Sequence, residues 1–464
     1  MADQIERFLD DVKEQIRWKQ ARKGLEVELR THLLDQRDAL IAQGMEEDAA
    51  AAESVRQMGD PVEVGIQLDR AHRPKPQWEL LTLVGIILCA GLIIQSTVMQ
   101  ELYVQPNLPN VFVSVITGAA LMMAMYFLDY QWLGRRPVLV YIIGLTVLLG
   151  MICYMDVSSI PFSSIDSPTA RLLTIYVGLI MPVFCYTPLV WSMRKSGWRG
   201  FILSILAAAP MTAAALMLHS MTAELIAYEV CLVVLSVAVW TGWDRISRRS
   251  GLLVMGLLLA ASAAVVIASM WSSPYAMSRL EIALHPELDP LGTGFGACQT
   301  RLSLAQAKLW GSSGYDLPFG NNDLWLAWVI CRLGWAAGVV LILLLALLFF
   351  GATRRCVRQR GSMGRMLSFS VLAALAGESA SYILFNLGVQ LTGPWVLPLL
   401  STGGSYMMVN LLLVGLMLGV FRFEQLPVNI TEKNPRQMPT LILWQDGDLV
   451  LRLSQLRRIK IKNL

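Results

Sequence analysis

The stretch Arg279-Leu-Glu-Ile-Ala-Leu-His-Pro-Glu-Leu-Asp-Pro-Leu-Gly-Thr-Gly-Phe295 is the centre of a long polar segment between two strongly apolar ones. The segment runs from about residue 271 to residue 323. A polar loop of this length between membrane helices usually carries function or is disordered. Asp289, which precedes Pro290 and lies close to two glycines, is therefore the first functional candidate.

The composition indicates a polytopic membrane protein with soluble appendages. The 464 residues are 55% hydrophobic and 16% charged, with a mean hydropathy of +0.53. A soluble domain averages about 25% charged residues. The seven cysteines include no C-x-x-C pair and mostly lie in apolar runs, so neither a disulfide framework nor a zinc site is predicted.

Residues 1–73 have the pattern of a small cytosolic helical domain. Apolar residues recur at helical spacing from Ile5 to Ile16, a second amphipathic stretch continues towards Ile41, and Glu46 to Met58 predict a third helix. The segment resembles the helical prefix found ahead of some bacterial membrane proteins. Two roles stay open for it: a bundle that only docks or stabilises, and one that binds a partner or regulates.

Ten apolar runs follow within residues 78–422. Each has roughly the 17–25 residues that cross the hydrocarbon core as a helix. The predicted fold class is an all-α polytopic membrane protein with ten transmembrane helices. The runs are Trp78–Met99, Val111–Leu128, Pro137–Met155, Leu172–Trp191, Phe201–Leu218, Ala223–Thr241, Leu252–Met270, Leu324–Phe350, Met366–Leu387 and Ser401–Phe421.

The loops between these runs differ in charge, which predicts the orientation. Alternate loops are rich in Lys and Arg, and the positive-inside rule places them in the cytoplasm. Both termini are then cytoplasmic, and residues 271–323 form a large extracellular loop. The basic loop residues are Arg135, Arg136, Arg194, Lys195, Arg199, Arg245, Arg248, Arg249, Arg354, Arg355, Arg358, Arg360 and Arg365.

Three basic residues, Arg279, Arg301 and Lys308, lie in the predicted outer loop. Long loops are exempt from the charge rule, which is one explanation. An anionic substrate is the other.

Residues 423–464 form a polar tail that we predict to be cytosolic. Two β-prone runs, Thr440–Gln445 and Asp448–Leu453, flank Asp446-Gly447, and Asp-Gly in this position is a strong hairpin signal. We predict a short C-terminal β-hairpin without chemistry of its own.

Motifs of soluble enzymes are missing: the sequence has no P-loop, G-x-S-x-G, H-E-x-x-H or dinucleotide fingerprint. Chemistry is therefore expected at the outer membrane face or in the membrane. Asp289 suits a general base, although a turn-forming Asp before Pro explains the same letters. The run Leu397–Ser405 either lines a cavity or packs helices closely. Glu229 and Glu378 lie within apolar runs, where an ionisable residue is a functional candidate.

The second half of the chain resembles the SEDS proteins (shape, elongation, division and sporulation), the FtsW/RodA/SpoVE family of bacterial cell-wall synthesis. That family carries an outer-loop Arg, then P-x-x-D-P-x-G-x-G-Y/F followed by Gln. Further on come L-P-E-x-H-T-D-F, N-I-G, T-G and L-P-x-x-S-Y-G-G-S. The matching residues are Arg279, Pro286, Asp289, Pro290, Gly292, Gly294, Phe295, Gln299, Leu317, Pro318, Asp323, Asn386, Gly388, Thr392, Gly393, Leu397, Pro398, Ser401, Gly403, Gly404 and Ser405.

The resemblance implies a peptidoglycan glycosyltransferase that joins lipid II units at the outer face of the bacterial cytoplasmic membrane. Asp289 is then the catalytic carboxylate, which deprotonates the sugar 4-hydroxyl. Arg279, Arg301 and Lys308 are predicted to hold the pyrophosphate. The other predicted substrate-binding residues are Gln299, Asp323, Asn386, Ser401, Gly403, Gly404 and Ser405.

The resemblance also implies a class B penicillin-binding protein as partner and excludes nucleic acid. No protein metal site is predicted, although a divalent cation, Mg²⁺ or Mn²⁺, is compatible with a carboxylate facing a pyrophosphate. Two alternatives stay open. Glu229 and Glu378 suit a transporter of the lipid-linked precursor. A non-catalytic scaffold of a cell-wall complex is favoured by Leu317–Asp323, which keeps only part of the family pattern.

Overall fold

The structure is a computed structural model, and its helices divide into a small N-terminal bundle and a large apolar bundle. It describes residues 2–17, 19–72, 77–101, 108–158, 168–217, 220–272, 274–314, 322–391, 393, 395–400, 404–422, 442–445 and 448–451.

The N-terminal bundle contains four helices with a hydrophobic core of their own. The apolar side of the first helix, including Phe8, Leu9 and Val12, is buried against Leu25 and Leu33 of the second. These residues recur at the spacing that puts them on one face of a helix. The helices are α1 Ala2–Gln15, α2 Lys19–Ala42, α3 Glu47–Met58 and α4 Pro61–His72.

The apolar bundle follows. Its buried side chains form one continuous hydrophobic cluster between Leu80 and Phe421. The first part consists of α5 Trp78–Glu101, α6 Leu108–Phe127, α7 Gln131–Arg135, α8 Pro137–Val157, α9 Pro168–Ile175, a π-helix Tyr176–Tyr186, α10 Thr187–Met193, α11 Gly197–Leu206, α12 Ala209–Met217, α13 Met221–Thr241 and α14 Arg248–Ser272. The second part consists of α15 Pro274–Leu284, α16 Phe295–Gln306, α17 Trp325–Leu333, α18 Trp335–Arg358, α19 Ser362–Asn386 and α20 Gly404–Phe421.

All ten predicted apolar runs are helical over most of their described residues. Seven described stretches are long and apolar enough to cross a membrane. One of them, Thr169–Ala215, has 47 residues and contains the fourth and most of the fifth predicted run. The protein is therefore a multi-pass, all-α membrane protein, as the composition predicts.

Two predicted runs are not single helices. The fifth is broken between α11 and α12, just ahead of Pro210, whose missing N–H and ring disfavour a continuous helix. The eighth is broken at Gly334, between α17 and α18. Gly334 has φ +99°, and a Cβ there would meet the Leu309 carbonyl oxygen at 2.5 Å. Only glycine tolerates both conditions.

The segment ahead of α17 satisfies the start of α18. The Trp335 N–H donates to the Lys308 carbonyl at 3.0 Å, and the Ala336 N–H donates to the Leu309 carbonyl at 3.1 Å. The first N–H groups of a helix have no partner within it, so these bonds replace the missing ones. The break therefore lies where Lys308 and Leu309 contact the start of α18.

The described part of residues 271–323 is largely helical. The described part contains α15, a short 3-10 turn over Pro286–Leu288, and the 12-residue helix α16. The segment that links them holds Asp289 and its glycines. Helices satisfy the backbone groups internally, which explains how a long polar connection stays ordered here.

Side-chain contacts separate the two ends of the apolar bundle. At one end Arg355 of α18 pairs with Glu79 of α5 at 2.8 Å, and Arg194 donates to Ser362 at 2.6 Å. Arg422 donates to the Tyr126 carbonyl at 2.7 Å in the same group of helix ends. The basic residues of these contacts therefore lie together, and residues 284–314, 322–327, 386–391 and 393 lie at the opposite end.

The tail contributes two described strands, β1 Ile442–Gln445 and β2 Asp448–Leu451. They pair antiparallel, with Gln445 opposite Asp448. The predicted turn Asp446-Gly447 and the basic residues near the end of the chain lie outside the described residues.

Candidate active site

Asp289 is fixed by the turn that follows it. Its Oδ1 accepts from the Gly292 N–H at 3.1 Å, and its Oδ2 accepts from the N–H and hydroxyl of Thr293 at 2.9 and 3.2 Å. The side chain is partly buried, and helix α16 begins at Phe295, directly after the turn. The carboxylate is therefore held in one orientation at the start of a helix.

Two glycines make this turn possible, each for a different reason. A Cβ on Gly292 would lie 2.3 Å from Oδ2 of Asp289, so the carboxylate occupies the space of a side chain. A Cβ on Gly294 would meet the Pro286 carbonyl oxygen at 2.4 Å, so there the backbone itself passes too close. The backbone contact at Gly294 requires glycine, whereas a side chain at Gly292 would displace the carboxylate.

An open cavity of about 260 Å³ lies beside the turn. Gly292 lines the cavity and donates its N–H to the Asp289 carboxylate. The carboxylate therefore lies beside the cavity, although Asp289 is not itself a lining residue. Two aromatic rings, one carboxylate and one amide line it, which is a lining that suits a sugar ring. The lining residues are Gly292, Phe295, Gly296, Asp323, Leu324, Phe385 and Gln390.

Asp323 and Asn386, both predicted to bind substrate, lie close together in the structure but play different parts. Asp323 is exposed and lines the cavity. Asn386 is fully buried: its amide donates to the Asp323 and Tyr382 carbonyls, each at 3.0 Å, and accepts from the Ala327 N–H at 3.0 Å. Asn386 thus positions the start of α17 and the backbone of Asp323.

Arg301 is also occupied by the protein. Its Nε donates to the Gly388 carbonyl at 3.0 Å, and its two terminal nitrogens donate to the Leu284 carbonyl at 3.3 Å. It therefore ties α16 to the end of α15 and to the segment after α19. The guanidinium lies 3.9 Å from Glu287, so its charge still reaches the turn.

The remaining predicted outer cations are exposed. Arg279 lies on α15, and Lys308 lies beyond α16. Gln299 is partly buried on α16. The structure brings all three to the same outer segment as Asp289 but shows no shared ligand for them.

Glu287 gives the turn a second negative charge. Its own backbone N–H and the His285 ring lower the pKa of the Glu287 carboxyl. The His285 Nδ1 lies 3.1 Å from the carboxylate. The negative charge of Glu287 partly offsets the positive charge of Arg301 beside the turn.

The structure describes only part of the glycine- and serine-rich run Leu397–Ser405. Ser401 and Gly403 lie outside the described residues. Gly404 is exposed and begins α20, and Ser405 is partly buried in its first turn.

The two predicted membrane-embedded acids lie away from the cavity lining, on neighbouring helices. Glu378 is fully buried on α19 and accepts from Asn410 of α20 at 3.2 Å. Glu229 of α13 packs on Gly377, because a Cβ there would meet its Oε2 at 2.2 Å.

Several residues of the site were not predicted: Thr293, Phe385 and Gln390. Thr293 follows from the Asx pattern, since an Asp side chain commonly accepts from N–H groups two to four residues on. Phe385 lies on α19 and Gln390 follows it, and both reach the cavity because this part of the chain packs against α16. The sequence contains no local signal for that contact.

A metal site formed by protein alone is not found in the described part of the chain, where no three His, Cys, Asp or Glu side chains cluster. Near Asp289 the turn has one further carboxylate, Glu287, which faces His285 and Arg301. Mg²⁺ commonly binds through one or two carboxylates together with substrate phosphates. The residues therefore fit a cation brought in with a pyrophosphate.

The fold and the site define a class: a multi-pass helical membrane protein with a fixed carboxylate and a cavity at the end opposite its basic loops. The sequence model of the cell cycle proteins FtsW, RodA and SpoVE matches residues 74–426. The chain belongs to this family, and the resemblance predicted from the motifs is confirmed.

Two curated relatives show the extent of the sequence match. A probable peptidoglycan glycosyltransferase FtsW from Thioalkalivibrio sp. (strain K90mix) is 31% identical over 179 residues, covering 36% of this chain and 44% of that protein. Stage V sporulation protein E from Bacillus subtilis (strain 168) is 28% identical over 166 residues, covering 33% of this chain and 44% of that protein. The matched part thus spans less than half of each relative.

Solved structures agree on the fold. A chain of a peptidoglycan synthase complex, studied for its coordination of polymerization and crosslinking, has a TM-score of 0.59 at 20% identity and covers 75% of this chain and 98% of that one. A variant of the rod shape determining protein RodA from Thermus thermophilus has a TM-score of 0.50 at 16% identity, covering 75% and 97%.

Proposed function

We propose that this protein is a peptidoglycan glycosyltransferase that polymerises lipid II, the undecaprenyl-linked precursor, into glycan strands. One observation carries the proposal: the Asp289 carboxylate is held by three hydrogen bonds at the edge of a cavity suited to a sugar. Membership of the family and the names of the curated relatives support the same activity.

The orientation follows from the two ends of the bundle. The site lies at the end opposite the basic loops, whose residues include Arg194 and Arg355. Basic loops stay in the cytoplasm under the positive-inside rule. The site then faces the outer side of the cytoplasmic membrane, where a lipid-linked sugar presents its head group, and both termini are cytoplasmic.

Asp289 acts as the general base in this mechanism. A carboxylate offers about four lone-pair positions, and three hydrogen bonds occupy positions on Asp289. The remaining one accepts the proton of the acceptor 4-hydroxyl. The hydroxyl oxygen forms a bond to the anomeric carbon of the donor as the bond from that carbon to the lipid pyrophosphate breaks.

The leaving pyrophosphate requires positive charge. Arg279 and Lys308 are exposed on the same outer segment and can supply charge-assisted hydrogen bonds. Arg301 already donates to the carbonyls of Gly388 and Leu284, so we assign it to holding the segment together. A divalent cation, Mg²⁺ or Mn²⁺, would be held by the pyrophosphate near Asp289 and would supply further charge neutralisation.

The acceptor sugar occupies the cavity beside the turn. Phe295 and Phe385 offer apolar faces to a sugar ring, and Asp323 and Gln390 offer hydrogen bonds to its hydroxyl and amide groups. Binding there brings a ring hydroxyl to the cavity edge, where Asp289 lies. The cavity therefore supplies the positioning, and the turn supplies the base.

A class B penicillin-binding protein is the proposed partner, since the polymerised glycan needs crosslinking. The structural likeness to a chain of a peptidoglycan synthase complex supports this pairing.

The test is polymerisation of lipid II by the purified full chain, alone and with a class B penicillin-binding protein. Wild type should form glycan, and Asp289→Ala should not. Glu281→Gln removes an exposed acid of the same segment and serves as the matched control, with activity unchanged.

Two results separate the alternatives. Lipid II that crosses proteoliposomes without polymerisation would identify a transporter. Equal, negligible polymerisation by wild type and Asp289→Ala, together with assembly of the partner complex, would identify a scaffold.

A further inference from the structure

A buried acid–amide pair joins α19 to α20 inside the apolar bundle. Glu378 of α19 is fully buried, and Asn410 of α20 is 1% exposed. The Asn410 amide nitrogen donates to Oε1 of Glu378 at 3.2 Å. In this bond Oε1 of Glu378 is the acceptor. Oε2 of Glu378 and the amide oxygen of Asn410 take no part in it.

The two other oxygens of the pair have no hydrogen-bond donor among the described residues. They are Oε2 of Glu378 and Oδ1 of Asn410, and both are buried. A buried oxygen without a donor is strongly unfavourable, and an ionised carboxylate without a cation is more so. Within the described part of the chain, no Lys or Arg forms an ion pair with Glu378.

A single proton resolves both vacancies. A protonated carboxyl is a donor as well as an acceptor, and a primary amide is both. The acid O–H then donates to the amide oxygen while the amide N–H donates to the acid carbonyl. Glu378 and Asn410 then share two hydrogen bonds, and the pair carries no net charge.

We propose that Glu378 and Asn410 form a proton-binding site that joins α19 to α20 in the membrane. Its ligand is one proton, carried by the Glu378 carboxyl. The site is separate from the Asp289 turn, and the inference does not depend on the glycosyltransferase reaction.

Of the ionisable neighbours, Glu229 favours the neutral form of Glu378, whereas the cation Arg171 acts against it. Glu229 of α13 packs on Gly377, next to Glu378 in the chain, so a second acid approaches from that side. Tyr406, one turn before Asn410, interacts electrostatically with Glu378 and with Arg171. Two ionised acids near each other in low dielectric would repel, and a proton on Glu378 removes that repulsion.

The pair has a place in the architecture of the site. Helix α19 continues from Glu378 to Asn386, which fixes the start of α17. Helix α20 begins at Gly404, within the glycine- and serine-rich run Leu397–Ser405. A proton that joins α19 to α20 therefore also holds the helices that lead to Asn386 and to the glycine- and serine-rich run.

Infrared spectroscopy of the purified full chain tests the protonation directly. Wild type should show the carbonyl stretch of a buried neutral carboxylic acid at neutral pH, and Glu378→Gln should lose it. Glu229→Gln is the matched control, since it removes the neighbouring acid, and it should leave the band in place. Asn410→Leu keeps the acid but removes its partner, so the band should shift.

Thermal unfolding gives an independent readout. The folded protein keeps a proton that an ionised glutamate of the unfolded chain has released above about pH 4.3. Stability of the wild type should therefore fall as pH rises above that value. Glu378→Gln replaces the acid by an amide that makes the same two bonds without a proton, so its unfolding temperature should fall less with pH.

Three results would overturn the proposal. The first is a wild-type spectrum without a neutral-acid band, and the second is a band that Glu378→Gln leaves unchanged. The third is stabilisation by Na⁺ or K⁺ with Glu378 ionised, which would make the ligand a metal cation. If Glu378→Gln does not fold, the wild-type and Asn410→Leu spectra still decide the question.

Discussion

Gly292 and Asp289 share one space: a Cβ on the glycine would lie 2.3 Å from Oδ2 of the aspartate. The neighbouring Gly294 is constrained differently, since a Cβ there would meet a backbone oxygen, that of Pro286, at 2.4 Å. The first contact is with a side chain that can rotate away, and the second is with main chain that cannot. A side chain at Gly292 should therefore disturb the carboxylate, whereas a side chain at Gly294 should disturb the backbone of the turn.

Gly292→Ala should abolish most polymerisation while the protein stays folded. The new methyl group displaces the Asp289 carboxylate and breaks its bonds to the turn. General-base catalysis contributes roughly 10²–10⁴-fold, so we expect a loss of about that size in kcat. Gly150→Ala, where a Cβ has nothing within 4 Å, is the control with unchanged rate. Full activity of Gly292→Ala would contradict the placement of the carboxylate.

Thr293→Val should reduce the rate modestly. It removes the hydroxyl that donates to Oδ2 at 3.2 Å and keeps the backbone N–H bond at 2.9 Å. One hydrogen bond contributes about 0.5–1.5 kcal/mol, or roughly two- to tenfold in rate. Thr293→Ser retains the donor and should behave as wild type. The comparison of kcat between the two variants makes the measurement, and equal rates would show that the hydroxyl is idle.

Asn386→Ala should destabilise the protein and lower activity through the position of α17. The change removes three hydrogen bonds and leaves the Ala327 N–H buried without an acceptor. Loss of a buried partner costs on the order of 2 kcal/mol. Thermal unfolding in detergent measures it, with the exposed Thr353→Ala as control. An unchanged unfolding temperature and a raised KM would instead identify Asn386 as a direct substrate contact.

Arg301→Gln should lower stability by about 1–3 kcal/mol, because the guanidinium holds the Leu284 and Gly388 carbonyls. Arg279→Gln and Lys308→Gln should leave stability unchanged and raise KM for lipid II, as expected of exposed cations that meet a pyrophosphate. Unfolding temperature and KM are measured on the same preparations. If Arg301→Gln keeps the wild-type stability and raises KM, Arg301 contacts the substrate directly.

The sequence was sufficient for the fold class and for the position of the turn. Hydropathy alone identified the apolar helices, because a membrane span must satisfy its backbone internally. The turn around Asp289, with its Pro and Gly neighbours, is found as predicted, and the catalytic role of the carboxylate stays a prediction.

The rest depends on contacts that no local pattern encodes. Arg301 and Asn386 are polar residues near the site, and sequence reasoning assigned both to substrate. Their partners are carbonyl groups 87 and 63 residues away, for Gly388 and Asp323. The break at Gly334 likewise depends on the approach of Leu309, and the cavity depends on Phe385 and Gln390 of a distant segment.

The most direct measurement of the central claim is the comparison of wild type with Asp289→Asn, in lipid II binding and in glycan formation. The amide has nearly the shape of the carboxylate, but its NH2 group would face the N–H of Gly292 or Thr293. Unfolding temperature and lipid II binding are therefore measured beside the rate, to separate a disturbed turn from a lost base. The amide cannot take the proton of the attacking hydroxyl, so glycan formation should fall by roughly 10²–10⁴-fold. Glycan formed by Asp289→Asn at the wild-type rate would contradict the account.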